Sequence, residues 1–313
     1  MQGIITYIIM GKGDLLSMLT RRFGLFLLLI LLTVQVYSED YQSLFRDGLA
    51  KCNAGEYGEA IRLFTRVIEI KPDYYNGYLE RGICYKNLSR YDSAITDFTQ
   101  AINIVPDDMT AYVQRADCLM SAGRYREALN DYLILLKQHP DDETFLYSTV
   151  LAYNSLNDYK EALFYLNRLI NLPARQNRPV AVELLLLRGN LYYNNKEWEK
   201  AEKDLLKIIQ AEPEEGEACL VLGRVYKAQE KYQDAIKMFN RALKTDPEYF
   251  TAYRELGLLY QQLGQYRQAA DAFTEAIKYS YGMSGELFLY RSQVYRAMGE
   301  KEKADADYAA YLK

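Results

Sequence analysis

The sequence is poor in histidine, tryptophan and cysteine: its 313 residues include one His, one Trp and four Cys. This scarcity leaves little material for a histidine-based active site, and the cysteines show no Cys-x-x-Cys or other metal-ligand spacing. A phosphate-binding loop is a glycine-rich segment that follows a strand. The sequence shows no such segment and no strand pattern. His139 stands beside Pro140 at the end of a predicted helix, where a polar terminal residue is expected. We therefore predict no enzymatic activity, no cofactor and no metal site.

Charge and hydropathy narrow the class of protein further. The net charge is -4 and the sequence pI is about 5.4, which argues against nucleic acid as a partner because such partners usually require a basic face. A mean hydropathy of -0.28, with one long apolar run, argues against a polytopic membrane protein. Half of the residues are hydrophobic, so the composition is not that of a disordered chain. The sequence contains 30 tyrosines, an unusually high number, which indicates that the tyrosines are placed periodically.

The N-terminus predicts a secretory signal peptide over residues 1–38. Arg21 and Arg22 precede an apolar run of 14 residues, FGLFLLLILLTVQV, at residues 23–36. A bilayer span needs roughly 20 such residues, whereas a basic stretch followed by a short apolar stretch and small residues is typical of a signal. We predict cleavage after Ser38, with Met18 as an alternative start. An uncleaved membrane anchor is the competing interpretation.

A period of 34 residues organises the sequence from residue 41 onward. Eight alanines recur at spacings of 34, 34, 34, 39, 34, 34 and 35. Most have an aromatic residue three places before, a proline twelve places after, and a Gly, Ala or Ser twelve places before. A large apolar residue follows each alanine by four places. The alanines are Ala60, Ala94, Ala128, Ala162, Ala201, Ala235, Ala269 and Ala304, and the large residues are Phe64, Phe98, Tyr132, Leu166, Leu205, Phe239, Phe273 and Tyr308.

Each period predicts two short antiparallel helices. Apolar residues follow helical spacing in two segments, as Tyr78 and Tyr85 do in the first and Ala94 and Phe98 in the second. A polar turn separates the two segments, and Pro106 ends the second. We expect the small residue and the alanine to face each other where the helices cross, with aromatic rings around the crossing.

This pattern resembles the tetratricopeptide repeat, and the resemblance covers residues 41–313. It implies an all-α, right-handed α-solenoid of about eight helix-turn-helix repeats, whose first helices line a concave groove. Contacts between neighbouring repeats would hold such an array together. The acidic pairs Asp107-Asp108 and Asp141-Asp142, at repeat boundaries, are expected to cap the helices that follow them.

The repeats fall into two predicted blocks, residues 41–173 with repeats 1–4 and residues 182–313 with repeats 5–8. The stretch between them, residues 174–181, is predicted to be an irregular linker because five residues, including Pro179, are inserted there. Val150 also stands where the other repeats have a small residue. A tolerated loop is the favoured interpretation, and a hinge that changes the width of the groove is the alternative.

The cysteines are predicted to be free and buried. Cys84 and Cys118 occupy the tenth place of adjacent repeats, counted from residues 75 and 109. Residues at the same place in stacked helices tend to lie too far apart for a disulfide. We therefore interpret the thiols as small hydrophobic groups, with a disulfide as the alternative.

The resemblance also implies that the second, fifth, ninth, twelfth and thirteenth places of each first helix face the groove. At the fifth, ninth and twelfth places the first four repeats are mainly apolar, and the last four carry a stripe of basic residues. Asn190 stands where peptide-binding members use an asparagine to hold the ligand backbone. Packing or solvated roles for these residues are the alternative. The predicted ligand-binding residues are Phe45, Leu79, Ile83, Tyr147, Asn190, Tyr193, Arg224, Lys227, Arg254 and Arg296.

Together these observations predict an exported scaffold that binds a partner protein or peptide in its groove. An apolar ligand segment would lie near the first repeats, and carboxylates near the last ones. The expected location is the periplasm or cell envelope of a Gram-negative bacterium, with a role in envelope assembly or secretion that rests on analogy of fold. Stable membrane insertion is not expected once the signal is cleaved. The alternatives are a soluble glycan or small-ligand receptor that uses Tyr147 and Tyr193, and self-association through the ends of the array.

Overall fold

The computed structural model describes residues 40–175, 179–282 and 285–312. The predicted signal peptide lies outside these residues, as does part of the predicted linker. Within them the chain forms sixteen α-helices and no strand, so the prediction of an all-α helical-repeat fold is confirmed. The helices are α1 (Tyr41–Asn53), α2 (Tyr57–Ile70), α3 (Tyr75–Asn87), α4 (Tyr91–Ile104), α5 (Met109–Ser121), α6 (Tyr125–Gln138), α7 (Glu143–Ser155), α8 (Tyr159–Arg175), α9 (Val182–Asn194), α10 (Trp198–Ala211), α11 (Gly216–Ala228), α12 (Tyr232–Thr245), α13 (Phe250–Gln262), α14 (Tyr266–Tyr279), α15 (Glu286–Ala297) and α16 (Lys301–Tyr311).

The chain separates into two compact units, one up to Ala122 and the other from Gly123 onward. The first unit contains α1–α5 and the second contains α6–α16. In each unit consecutive helices pack against one another, and first helices of adjacent repeats also touch, as α1 touches α3 and α11 touches α13. Helix α8 continues to Arg175 and contacts α9.

The ends of the helices follow from local chemistry. Asp108 Oδ1 accepts a hydrogen bond from the backbone N–H of Thr110 at 2.6 Å, and Asp142 Oδ1 accepts one from that of Phe145 at 3.0 Å. Both carboxylates therefore cap a helix, as predicted. Glycine occupies the left-handed position in four of the turns within a repeat, for example Gly264 at φ 73°, where a side chain would be strained.

The core of each repeat forms around its alanine. All eight alanines of the 34-residue period are fully buried. Four residues further on, the phenylalanines and leucines are fully buried and Tyr132 nearly so, whereas Tyr308 in the last repeat is exposed. Burying a side chain of this size stabilises a protein by about 1.5–3 kcal/mol. The predicted repeat core is thus present from the first repeat to the seventh.

The recurrence of glycine at this place of the repeat has a different cause from the one expected. A Cβ atom on Gly223 would lie 2.4 Å from Cε1 of Phe239, and one on Gly82 would lie 2.6 Å from the same atom of Phe98. The nearest atoms therefore belong to the ring four places after the alanine, and not to the alanine itself. Glycine is present because a flat ring fills the space that a Cβ would need.

A hydrogen-bonded contact between an arginine and an aspartate occurs in several repeats and joins their helices. Arg188 on α9 donates from Nε and Nη2 to the two carboxylate oxygens of Asp204 on α10, at 2.7 and 3.0 Å. Its Nη1 donates to Asn167 Oδ1, on the previous repeat, at 2.8 Å. Each such arginine therefore joins both helices of its own repeat to the repeat before it. The same geometry links Arg81 with Asp97 and Thr65, and Arg291 with Asp307 and Thr274.

Candidate functional site

The apolar residues predicted to bind a ligand in the first unit take part in packing. The ring of Phe45 lies 5.6 Å from that of Phe64 and 5.3 Å from that of Tyr74, measured between centroids. Leu79 is buried, and Ile83 is half-buried. Of the three, Ile83 and Phe45 retain surface that a ligand could reach, and their role in binding stays a prediction.

The basic residues of the predicted stripe come together around a carboxylate. Arg224 Nε lies 3.0 Å from Glu255 Oε1, and Lys227 Nζ lies 3.0 Å from Glu255 Oε2. Arg254 Nη2 lies 3.6 Å from Glu255 Oε1. Because α11 supplies Arg224 and Lys227 while α13 supplies Arg254 and Glu255, the contacts link the first helices of two adjacent repeats. We call these four residues the basic cluster.

The basic cluster is partly shielded from water and has an excess of positive charge. The side chain of Glu255 is 9% exposed, and those of Arg224, Lys227 and Arg254 are 25%, 27% and 32% exposed. Burial acts to raise the pKa of Glu255, but the charges of Lys227 and Arg224 outweigh it and hold that pKa below its usual value. The carboxylate is therefore ionised at neutral pH, and three cations surround one anion.

Two tyrosines border the basic cluster. The pKa of Tyr193 on α9 is raised by burial and by the charge of Glu255, against the opposing charge of Arg224. The pKa of Tyr249 is raised by burial and by the charge of Glu217, again against Arg224. Both phenols therefore stay neutral at physiological pH and can donate hydrogen bonds. Tyr193, one of the predicted ligand-binding residues, thus lies close enough to the basic cluster for the charges of Glu255 and Arg224 to act on the pKa of its phenol.

The remaining predicted residues are not members of the basic cluster. Asn190 Nδ2 donates to the backbone oxygen of Leu186 on its own helix, at 3.2 Å. Arg296 Nη2 lies 3.7 Å from Asp305 Oδ1, and its guanidinium lies over the ring of Tyr308. Tyr147 is 42% exposed on α7. Their roles in ligand binding stay predictions.

Two contacts, one in each unit, were not found from the sequence. Glu255 directly follows Arg254, but it stands at the sixth place, whereas only the fifth, ninth and twelfth places were compared. Cys52 and Cys84 stand at different places of adjacent repeats, the twelfth and the tenth, so a comparison of equal places missed that their Sγ atoms lie 3.2 Å apart.

The structure places no metal site or membrane span on the part of the chain that it describes. No group of three or more His, Cys, Asp or Glu residues is arranged there to hold an ion. None of the described helices combines the length and the apolar character needed to cross a bilayer.

Comparison with known protein families identifies the repeated unit. A family described as "Tetratricopeptide repeat" matches residues 45–109 and 113–174, and another of the same description matches residues 250–282. A family described as "TPR repeat" matches residues 223–264. The chain is built of tetratricopeptide repeats. Residues 155–242 also resemble the family "Anaphase-promoting complex, cyclosome, subunit 3". A comparison with curated protein sequences gave no match.

Solved tetratricopeptide repeat structures share this fold at low sequence identity. One from Parabacteroides merdae is 18% identical with a TM-score of 0.59, over 81% of this chain and 98% of its own. The C-terminal part of a repeat protein from Cytophaga hutchinsonii is 19% identical with a TM-score of 0.58, over 75% and 94%. YrrB, described as having an unusual peptide-binding site, is 19% identical with a TM-score of 0.50, over 61% and 96%. Tetratricopeptide repeat proteins generally mediate protein–protein interaction, and their fold is typically non-enzymatic.

Proposed function

We propose that this tetratricopeptide repeat protein is an exported scaffold in envelope assembly or secretion. It binds an acidic segment or a C-terminal carboxylate of a partner protein at the basic cluster. The observation that carries the proposal is the charge imbalance there, where Arg224, Lys227 and Arg254 surround the single carboxylate of Glu255. A second carboxylate, supplied by a ligand, would balance part of the remaining positive charge.

The geometry supports recognition of a carboxylate. Arg224 contacts Glu255 through Nε, so among the described residues its two Nη groups are open to a ligand. Arg254 Nε is buried and has no hydrogen-bond partner within the described part of the chain. A buried donor without a partner costs about 1–3 kcal/mol, which the Arg254 side chain would recover by turning Nε toward a ligand oxygen. Because the site is only partly hydrated, charge-assisted hydrogen bonds there are stronger than in open water.

Lys227→Gln and Lys237→Gln form a matched pair for testing this site. Both changes remove the charge of one lysine, but only Lys227 contacts Glu255, whereas Lys237 pairs with the exposed Asp234. In the Lys227→Gln variant Arg224 still pairs with Glu255, so the carboxylate is not left alone. The unfolding temperature of each variant, measured by circular dichroism, checks that the fold is kept.

The binding measurement uses a synthetic peptide library displayed with either a free C-terminal carboxylate or a C-terminal amide. We expect the protein to retain acidic peptides, and binding to weaken as salt is added. Loss of one charge-assisted hydrogen bond, worth about 1.5–3 kcal/mol, corresponds to at least a tenfold loss of affinity in Lys227→Gln. Lys237→Gln should bind as the unaltered protein does. Equal losses in both variants, or binding that depends neither on acidic residues nor on a free C-terminal carboxylate, would contradict the proposal.

Export is tested separately with a reporter. Residues 1–50 fused to alkaline phosphatase should give activity, because that enzyme needs disulfides that form outside the reducing cytoplasm. Deletion of residues 23–36 should abolish the activity. The mass of the mature chain then reports whether cleavage follows Ser38. An inactive fusion would contradict export, and an active fusion with an uncleaved chain would favour a membrane anchor.

A further inference from the structure

Two thiols from adjacent repeats meet in the first unit. Cys52 lies near the end of α1, and Cys84 lies on α3; the Cys84 thiol donates to Cys52 Sγ at 3.2 Å. Both thiols are free. They belong to the apolar cluster around Phe64, where Cys84 is fully buried and Cys52 is partly exposed.

We propose that Cys52 and Cys84 are a disulfide-forming pair that covalently joins the first repeat to the second. A disulfide bond has an S–S distance of about 2.05 Å, so the two sulfurs must approach each other by roughly 1.2 Å. Cys52 stands in the last helical turn of α1, two residues before the turn at Ala54 and Gly55. A small shift of this helix end therefore brings the sulfurs together while α3 stays in place.

The difference in exposure assigns an order to the chemistry. The Cys52 thiolate, after losing its proton to water, attacks one sulfur of an external disulfide such as oxidised glutathione and displaces the first thiol. Cys84 then loses its proton and attacks the mixed disulfide at Cys52 Sγ, which releases the second thiol. Two protein thiols are oxidised by two electrons, and one external disulfide is reduced to two thiols. Burial raises the pKa of Cys84, which favours Cys52 as the first to react because the thiolate is the nucleophile.

The bond would close a loop between α1 and α3. Among the described residues α1 packs only against α2 and α3, so it opens without disturbing the rest of the array. A cross-link over about 33 residues removes much of the entropy gained when α1 separates. We therefore expect oxidation to slow hydrogen exchange of the α1 amides by on the order of a hundredfold. The inference rests on the geometry of the two thiols and does not depend on the proposed ligand, whereas persistence of the bond in the cell requires an oxidising compartment.

The test uses the full-length chain, reduced and then exposed to oxidised glutathione. Remaining thiols are alkylated under denaturing conditions, and proteolytic fragments are analysed by mass spectrometry. We expect a cross-linked fragment that pairs Cys52 with Cys84, about 2 Da lighter than the two reduced fragments because two hydrogens leave. Cys118 and Cys219, both buried, should be recovered alkylated and serve as internal controls.

Variants make the assignment specific. In the Cys84→Ala variant the reaction should stop at a mixed disulfide on Cys52. The Cys52→Ala variant should form neither the mixed disulfide nor the cross-link. Cys118→Ala should form the cross-link as the unaltered chain does. A cross-link between any other two cysteines, or a stable mixed disulfide on Cys52 in the unaltered chain, would overturn the proposal. Hydrogen exchange of α1 that is equal in the oxidised and reduced proteins would overturn the role assigned to the bond.

Discussion

Replacement of Gly223 by alanine tests why glycine recurs in the repeats. The new Cβ would lie 2.4 Å from Cε1 and 2.6 Å from Cδ1 of Phe239, a fully buried ring. Carbon atoms pack best about 3.5–4.0 Å apart, so the ring has to retreat by more than roughly 1 Å into a filled core. Overpacking of this kind costs about 1–3 kcal/mol. The higher helix propensity of alanine returns up to about 1 kcal/mol, so we expect a net destabilisation of up to about 2 kcal/mol.

Urea unfolding followed by circular dichroism measures this change, with Gly58→Ala as the matched control. Gly58 also lies in a helix, but among the described residues no atom beyond its own stretch of helix lies within 4 Å of the Cβ that would be added there. This variant should therefore be as stable as the unaltered protein or more stable. A second change, Phe239→Leu, should restore part of the stability lost in Gly223→Ala. The fourth repeat shows the precedent, because Val150 and Leu166 occupy this pair of places and both are fully buried. A Gly223→Ala protein as stable as the Gly58→Ala protein would refute the argument.

Two further predictions concern polar groups. Asp204→Asn should lower the free energy of unfolding by about 3–5 kcal/mol, because it leaves the nearly buried Arg188 without a counter-charge. Its control, Glu59→Gln at an exposed ion pair, should lower that free energy by less than about 1 kcal/mol. Urea titration measures both changes, and equal losses would contradict the role of burial. Burial and the charge of Glu202 raise the pKa of Tyr226 to about 12, so the neutral phenol contributes stability that is complete below pH ~10 and is lost as the pH rises to about 12. Stability measured across this interval should fall less steeply in Tyr226→Phe, and an unchanged slope would contradict the assignment.

The fold could be predicted from the sequence because the same packing problem is solved in every repeat. The pair formed by an alanine and a large apolar residue four places later, as in Ala94 and Phe98, recurs about every 34 residues. Each recurrence adds independent support for a pair of helices. The polar links between repeats could not be found in this way, because Arg188 and its counterparts occur in only some repeats. Their signal is the joint occurrence of an arginine at the seventh place and an aspartate at the twenty-third, as in Arg81 and Asp97.

The candidate site was predicted less completely. The resemblance implied that Arg224 and Lys227 lie on one face of α11, and in the structure both contact Glu255. Spacing could not show that a carboxylate from the next repeat lies between them. Pairing of this kind depends on the offset between α11 and α13, which follows from packing and not from the order of residues. For the same reason the contact between Cys52 and Cys84 was missed.

The uneven distribution of the arginine–aspartate links has a mechanical consequence for the second unit. Repeats 5 and 8 are each joined to the preceding repeat by such a link, through Arg188 and Arg291. In repeats 6 and 7 the equivalent residues are Leu222 and Leu256, which are buried and apolar. Leucine offers no polar contact to the preceding repeat, whereas a charge-assisted hydrogen bond holds its register. Under a stretching force, the polar connection between repeats 6 and 7 is therefore the basic cluster itself, where Glu255 of α13 contacts Arg224 and Lys227 of α11.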